Sequence, residues 1–216
     1  MQKKSLQITK QMTKNFIAAF LAGVFISIGA LAYLCCDIKY VGAVLFTIGL
    51  FSILVFNLSL FTGQVCFTLE NKPIYLLKLF VTLVGNFLGA FVCGKLFSLT
   101  RLVSLQEKCI ELCNVKLSDS LISLFILAIF CNILIFVAVY GFKRAKNTAV
   151  KILALFFGVV VFVVCGLEHC VADMFYFTFS NLLGSGVFLP LLIIVLGNIV
   201  GGLFIPVCSW VYKKIR

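Results

Sequence analysis

The chain has 216 residues, 63% of them hydrophobic and 12% charged, with a formal net charge of +11. Soluble domains carry roughly a quarter charged residues, so no water-soluble fold could bury this much hydrocarbon; at about 20 apolar residues per spanning helix the length admits six crossings and no appended soluble domain. Basic residues sit at the ends of apolar runs rather than in one patch, which argues against a nucleic-acid partner, and the ten cysteines lack a CxxC pair of metal spacing and read mostly as small hydrophobes.

The chain begins Met-Gln-Lys-Lys and stays polar through Gln11. It lacks the short apolar core and small-residue cleavage site of a signal peptide, so the N-terminus is expected to be retained. Six apolar runs follow, near Phe16 to Leu34, Val41 to Leu58, Leu79 to Phe97, Leu121 to Tyr140, Lys151 to Val164 and Val187 to Val211. They predict an all-α membrane protein with six transmembrane helices in a single domain, residues 1–216. Lys3, Lys4, Lys10, Lys14, Lys72, Lys78, Lys143, Arg144, Lys146, Lys151, Lys213, Lys214 and Arg216 fall on one side of this map and five basic residues on the other. The positive-inside rule then places both termini in the cytoplasm of a multi-pass cell-membrane protein. Cys35, Cys36, Cys109 and Cys113 fall in predicted outer loops, where an oxidising setting leaves a disulfide open.

Two segments interrupt the simple pattern: Leu60-Phe61-Thr62-Gly63-Gln64 after the second run, and Gly166-Leu167-Glu168-His169-Cys170-Val171-Ala172-Asp173 after the fifth. Polar groups and irregular backbone at membrane depth are tolerated only inside protein or beside a wet cavity, so helices two and five are expected to be broken. Gly85-Asn86-Phe87-Leu88-Gly89-Ala90 matches Gly197-Asn198-Ile199-Val200-Gly201-Gly202 at a separation of 112, and Thr62 and His169 stand 107 apart. A second copy of a three-helix unit enters the membrane upside down, which predicts two inverted repeats, about 14–98 and about 116–212, with their interrupted segments meeting near the midplane. The simpler reading of the glycines alone is a GxxxG packing seam.

At these residues the sequence resembles the formate/nitrite transporter family. Ala22-Gly23-Val24-Phe25-Ile26-Ser27 is similar to the family's first-helix motif, Leu60-Phe61-Thr62-Gly63 to the loop within its second helix, Cys131-Asn132 to the opening of its fourth-helix motif, and Gly166 through Phe175 to its broken fifth helix. The resemblance implies an aquaporin-like fold, a homopentamer, and passage of formate, nitrite or hydrosulfide, with protons as an open second substrate. It departs at Cys170 and Asp173, where members commonly carry Ser and Asn. The added carboxylate leaves the substrate less determined than the family.

His169 is the single histidine and falls at mid-membrane depth. A bare anion entering a dry constriction faces a large desolvation cost, and an imidazole can lend it a hydrogen bond or a proton. Thr62, in the opposing segment, has a hydroxyl that can serve the permeating oxygen, His169 or its own loop. Asn132 can donate to the anion or brace the fifth helix. Lys14 and Lys116 read as corresponding residues, one per vestibule, where they would concentrate anions, although a lysine such as Lys14 is also an ordinary interface anchor. The family likeness makes Phe46, Leu50, Leu60, Ile135 and Phe162 candidate rims of two apolar constrictions. Glu168 and Asp173 are costly in lipid and must face protein, water or a cation. Glu168 is expected to brace the fifth helix through backbone donors. No P-loop supports direct ATP drive, and no cofactor or metal is called for. The rival reading is a membrane-embedded enzyme using Glu168, His169 and Asp173, weakened by the lack of a second ligand cluster around a lone histidine.

Overall fold

Helices form where the apolar runs fall, and also where the sequence reads as loop. The structure is a computed structural model that describes residues 2–215. Its regular elements are α1 (Gln2–Leu34), α2 (Lys39–Val55), α3 (Phe61–Val65), α4 (Tyr75–Ser98), α5 (Gln106–Ser118), α6 (Leu121–Arg144), α7 (Thr148–Val164), α8 (Cys170–Phe179) and α9 (Ser185–Ile215), with 3-10 turns at Thr68–Glu70 and Arg101–Leu105. Of the basic residues on the charge map, Arg216 and the side chains of Lys3 and Lys4 lie outside the described residues. By length and composition α1, α4, α6 and α9 can each cross a bilayer. The apolar helices α2 and α7 have 17 residues each, about 26 Å at 1.5 Å per residue, against a hydrocarbon core of about 30 Å. The second run, expected to reach Leu58, therefore ends as helix at Val55.

Both short helices stop for the same reason. Asn57 and Gly166 adopt the left-handed conformation, with φ of 52° and 66°, immediately after the C-cap residues Phe56 and Cys165. The next amides turn back: Leu58 N donates to Ile53 O at 2.8 Å and Leu167 N to Phe162 O at 3.0 Å, while Asn57 N reaches Leu54 O and Gly166 N reaches Val163 O. These are two Schellman motifs, which use a left-handed residue to satisfy the last carbonyls of a helix. A few extended residues follow, and α3 and α8 then start after Leu60 and His169.

The asparagines of the two Gly-Asn motifs hold these irregular stretches. Asn86 donates through Nδ2 to Ala19 O (2.7 Å) and Ser59 O (2.9 Å) and accepts Phe61 N–H at Oδ1 (2.8 Å). Asn198 does the same with Ala128 O (2.8 Å), Glu168 O (2.9 Å) and Cys170 N–H (2.9 Å). Each buried amide thereby satisfies three backbone groups that would otherwise be orphaned in a low-dielectric interior.

These bonds also set the internal register. Ala19 pairs with Ala128, Asn57 with Gly166, Ser59 with Glu168 and Phe61 with Cys170, all at a separation of 109, while the Gly-Asn motifs stand 112 apart. The counterpart of His169 is therefore Leu60, the N-cap of α3, and not Thr62, whose counterpart is Val171. Likewise Lys14 corresponds to Ser123 rather than to Lys116.

α1 packs on α2 and α4, α6 packs on α7 and α9, and α2 meets α7. The short helices cross over: α8 lies against α4, and α3 lies against α6 and α9. Close approach of the long helices needs bare backbone at Gly89 and Gly201, where a Cβ would overlap the carbonyl oxygens of Phe20 and Ile129. Gly201→Leu is accordingly expected to lower thermal stability in detergent by about 1–3 kcal/mol or more, the usual cost of overpacking. Gly186→Leu, at a position with nothing within 4 Å, should leave the midpoint nearly unchanged.

α5 corrects the outer-loop reading of its segment. Cys109, Cys113 and Lys116 recur at i, i+4 and i+7 and form its buried face, which packs on α8. All ten cysteines are free thiols.

Candidate functional site

α8 is buried along its whole length, and His169 at its start is 2% exposed. Nδ1 of the ring accepts the Ala172 N–H at 3.2 Å and so acts as the side-chain N-cap of the helix. A neutral ring bonded in this way carries its proton on Nε2, which lies 3.0 Å from Thr62 Oγ1 and donates to it. Thr62 is fully buried, and its hydroxyl hydrogen stays free for another acceptor. The imidazole stacks on Phe162, centroids 5.6 Å apart at 19°, and Phe162 meets Phe46 edge-on at 5.6 Å. Position, tautomer and tilt of the ring are thus set by three separate contacts.

Two hollows approach this pair from the two ends of α2. Toward Lys39 lies a cavity of about 220 Å³ whose lining includes Phe46, Lys116, Phe162, Glu168, His169 and Asp173. Toward Ile53 lies a recess of about 20 Å³, lined among others by Leu50, Leu60, Gln64 and Lys143. Four of the five candidate rim residues thus divide between the hollows. Phe46 (2% exposed) and Phe162 (3%) floor the larger, and Leu50 (1%) and Leu60 (2%) close the smaller. Ile135 is buried in α6 but lines neither.

Beside His169 lies a charge cluster. Lys116 Nζ is 2.5 Å from Glu168 Oε2 and 3.0 Å from Asp173 Oδ1, with all three side chains at least nine-tenths buried. Asp173 Oδ2 is buried without a hydrogen-bond partner. Asp173 also lies in the first turn of α8. Lys116 therefore does not stand free in a vestibule; its charge is taken up by two acids. Glu168 braces the segment differently from the expectation, because its carboxylate meets Lys116 and only its backbone carbonyl joins the Asn198 bonds.

Asn132 donates to Thr62 O at 3.2 Å and Asn198 O at 2.6 Å. Both its N–H groups are thus committed to tying α3 to α9, and neither reaches the fifth-helix segment that it is expected to brace. Lys14 is exposed and lines neither hollow. Its neighbour Asn15 is the inward residue, bonding Thr82 Oγ1 and accepting from Ser59 Oγ. One residue on a helix is a turn of about 100°, enough to carry Lys14 away. Nothing in the sequence around Asn86 and Asn198 singles out their caging role beyond the repeated Gly-Asn pair, and no spacing announces the geometry of the charge cluster.

The all-helical architecture joins helices long and apolar enough to cross a bilayer, α1, α4, α6 and α9, to a histidine that caps a fully buried short helix between two hollows. A family model for the formate/nitrite transporter matches residues 1–212. The chain is 30% identical over 215 residues to the uncharacterized transporter YrhG of Bacillus subtilis (strain 168), covering 86% of this chain and 79% of that one. It is 27% identical over 234 residues to formate-nitrite transporter 2 of Toxoplasma gondii (strain ATCC 50611 / Me49), covering 89% of this chain and 49% of that protein's length. A solved pentameric formate channel with formate bound superposes with a TM-score of 0.83 at 25% identity, over 95% of this chain and 98% of that one. The chain belongs to the formate/nitrite transporter family. It is a channel or transporter and not an enzyme, so the catalytic reading of Glu168, His169 and Asp173 falls.

Proposed function

We propose that the chain passes small monovalent weak-acid anions, formate, nitrite or hydrosulfide, across the cell membrane by way of His169. In this reading α2 with α3, and α7 with α8, each make one interrupted crossing, giving six spans in two inverted repeats of about 14–98 and 116–212. The fold is aquaporin-like, both termini are cytoplasmic, and the assembly is a homopentamer with one pore in each protomer. The Lys116 cavity is then the outer vestibule and the Gln64 recess the inner one.

The observation that carries the reading is the His169 Nε2 to Thr62 Oγ1 pair, 3.0 Å apart, set between two hollows and floored by Phe46 and Phe162. Apolar rims strip water from whatever passes. A permeant oxygen that loses its hydration needs a donor in return, and an Nε2–H and a rotatable hydroxyl both stand at that level. No proton needs to leave the ring for the anion to be held.

The test is uptake by proteoliposomes. Vesicles holding the purified protein should take up formate, nitrite or hydrosulfide well above protein-free vesicles, without forming any new product. Vesicles that stay tight to all of them across the pH range in which these acids titrate would overturn the proposal.

A further inference from the structure

Lys116, Glu168 and Asp173 form a buried cluster whose charges do not balance: two carboxylates face one ammonium. Burying an uncompensated negative charge is costly, and a carboxyl group that takes a proton removes that cost. The proton's address can be read from the geometry. Glu168 holds the shorter contact to Lys116, at 2.5 Å against 3.0 Å for Asp173. Oδ2 of Asp173 is the carboxyl oxygen left without any partner. Both acids, with His169, border the cavity of about 220 Å³. Lys39 lines the same cavity, but Lys116 is the one cation within ion-pair distance of either acid among the described residues. Tyr33 and Tyr176 present hydroxyls, Cys131 and Cys170 thiols, and His169 is bonded as a neutral ring through Nδ1 and Nε2.

We propose that Asp173 is a proton-transfer residue of the outer cavity: it carries one proton on Oδ2 and gives it to the anion before the anion reaches His169. The step rests on the transport reading above and balances within it. The O–H bond of Asp173 breaks and a new O–H or S–H bond forms on the anion. The permeant continues as a neutral acid, and Asp173 is left as a carboxylate beside Lys116 until it regains a proton from the water of the outer vestibule. Anion and proton then move together with no net charge. An asparagine at this position would have the same shape but could not carry the proton, so the device depends on the acid that this chain has there.

Asp173→Asn separates the possibilities. In proteoliposomes with a potential set by potassium and valinomycin, wild-type uptake should acidify the lumen and ignore the potential. The variant, folded and with an unchanged thermal midpoint, should lose about tenfold in rate at neutral pH, and the uptake left should follow the potential. Equal rate, equal acidification and an equal pH profile in the variant would overturn the proposal. A second readout needs no transport at all. The infrared spectrum of the wild type should contain the carbonyl stretch of a protonated carboxylic acid that Asp173→Asn removes, and its absence from the wild type would also overturn it. Tight wild-type vesicles that still show this band would sink the transport reading and keep the proton site.

Discussion

Lys116→Met is expected to destabilise the protein by about 3–5 kcal/mol, the range for removing one partner of a buried ion pair. The substitution keeps most of the side-chain volume, so the loss is electrostatic rather than a cavity effect. Glu168 and Asp173 would face each other beneath α5, both at least nine-tenths buried and with no other cation in ion-pair contact among the described residues. The damage should spread, since Glu168 precedes the cap of α8 and its backbone carbonyl is held by Asn198. Thermal unfolding in detergent measures it. Combining Lys116→Met with Glu168→Gln should recover a large part of the loss, because the stranded charge is gone. A Lys116→Met protein as stable as the wild type would show that the cluster is solvated.

His169→Phe is expected to slow anion uptake by about 10–100-fold with little change in stability. A phenyl ring can keep the stack on Phe162 and fill the same space, but it offers Thr62 and the permeant no N–H. A dehydrated oxygen left without its donor costs about 1–3 kcal/mol, and each 1.36 kcal/mol of barrier is about tenfold in rate. The helix cap to Ala172 is lost as well, at a cost of about 1 kcal/mol, which the thermal midpoint reports separately. Initial rates in proteoliposomes normalised to reconstituted protein give the comparison, and undiminished uptake would remove the ring from the pathway. Thr62→Val should have a smaller effect in the same direction, since the imidazole donor remains.

The family and the placing of both irregular segments were legible in the sequence because their residues are rare at membrane depth: Glu-His after the fifth run and Leu-Phe-Thr-Gly after the second. The Gly-Asn pairs were legible as a repeat, but their separation of 112 differs from the 109 that governs the rest. That mismatch hides the register: Thr62 and His169, 107 apart, read as a match, whereas a separation of 109 matches His169 to Leu60 and Lys14 to Ser123. α5 was not legible as structure. Its apolar residues are few, and what it buries is two thiols and an ammonium, which become favourable only once α8 and its acids lie beneath them. The pairing of Lys116 with both carboxylates depends on that packing, since 52 residues separate Lys116 from Glu168. Spacing alone could not join them.

The crossed placement of the short helices bears on how the molecule is made. α3 belongs to the first half of the chain, yet its packing partners include α6 and α9, and Asn132 anchors Thr62 from residues not yet synthesised when α3 leaves the ribosome. During biogenesis the Phe61–Val65 segment must therefore wait, its neighbours unfilled, until α9 has been inserted. A ribosome stalled after α5 would release a fragment able to form its long helices but not to seat α3, a natural target for quality control.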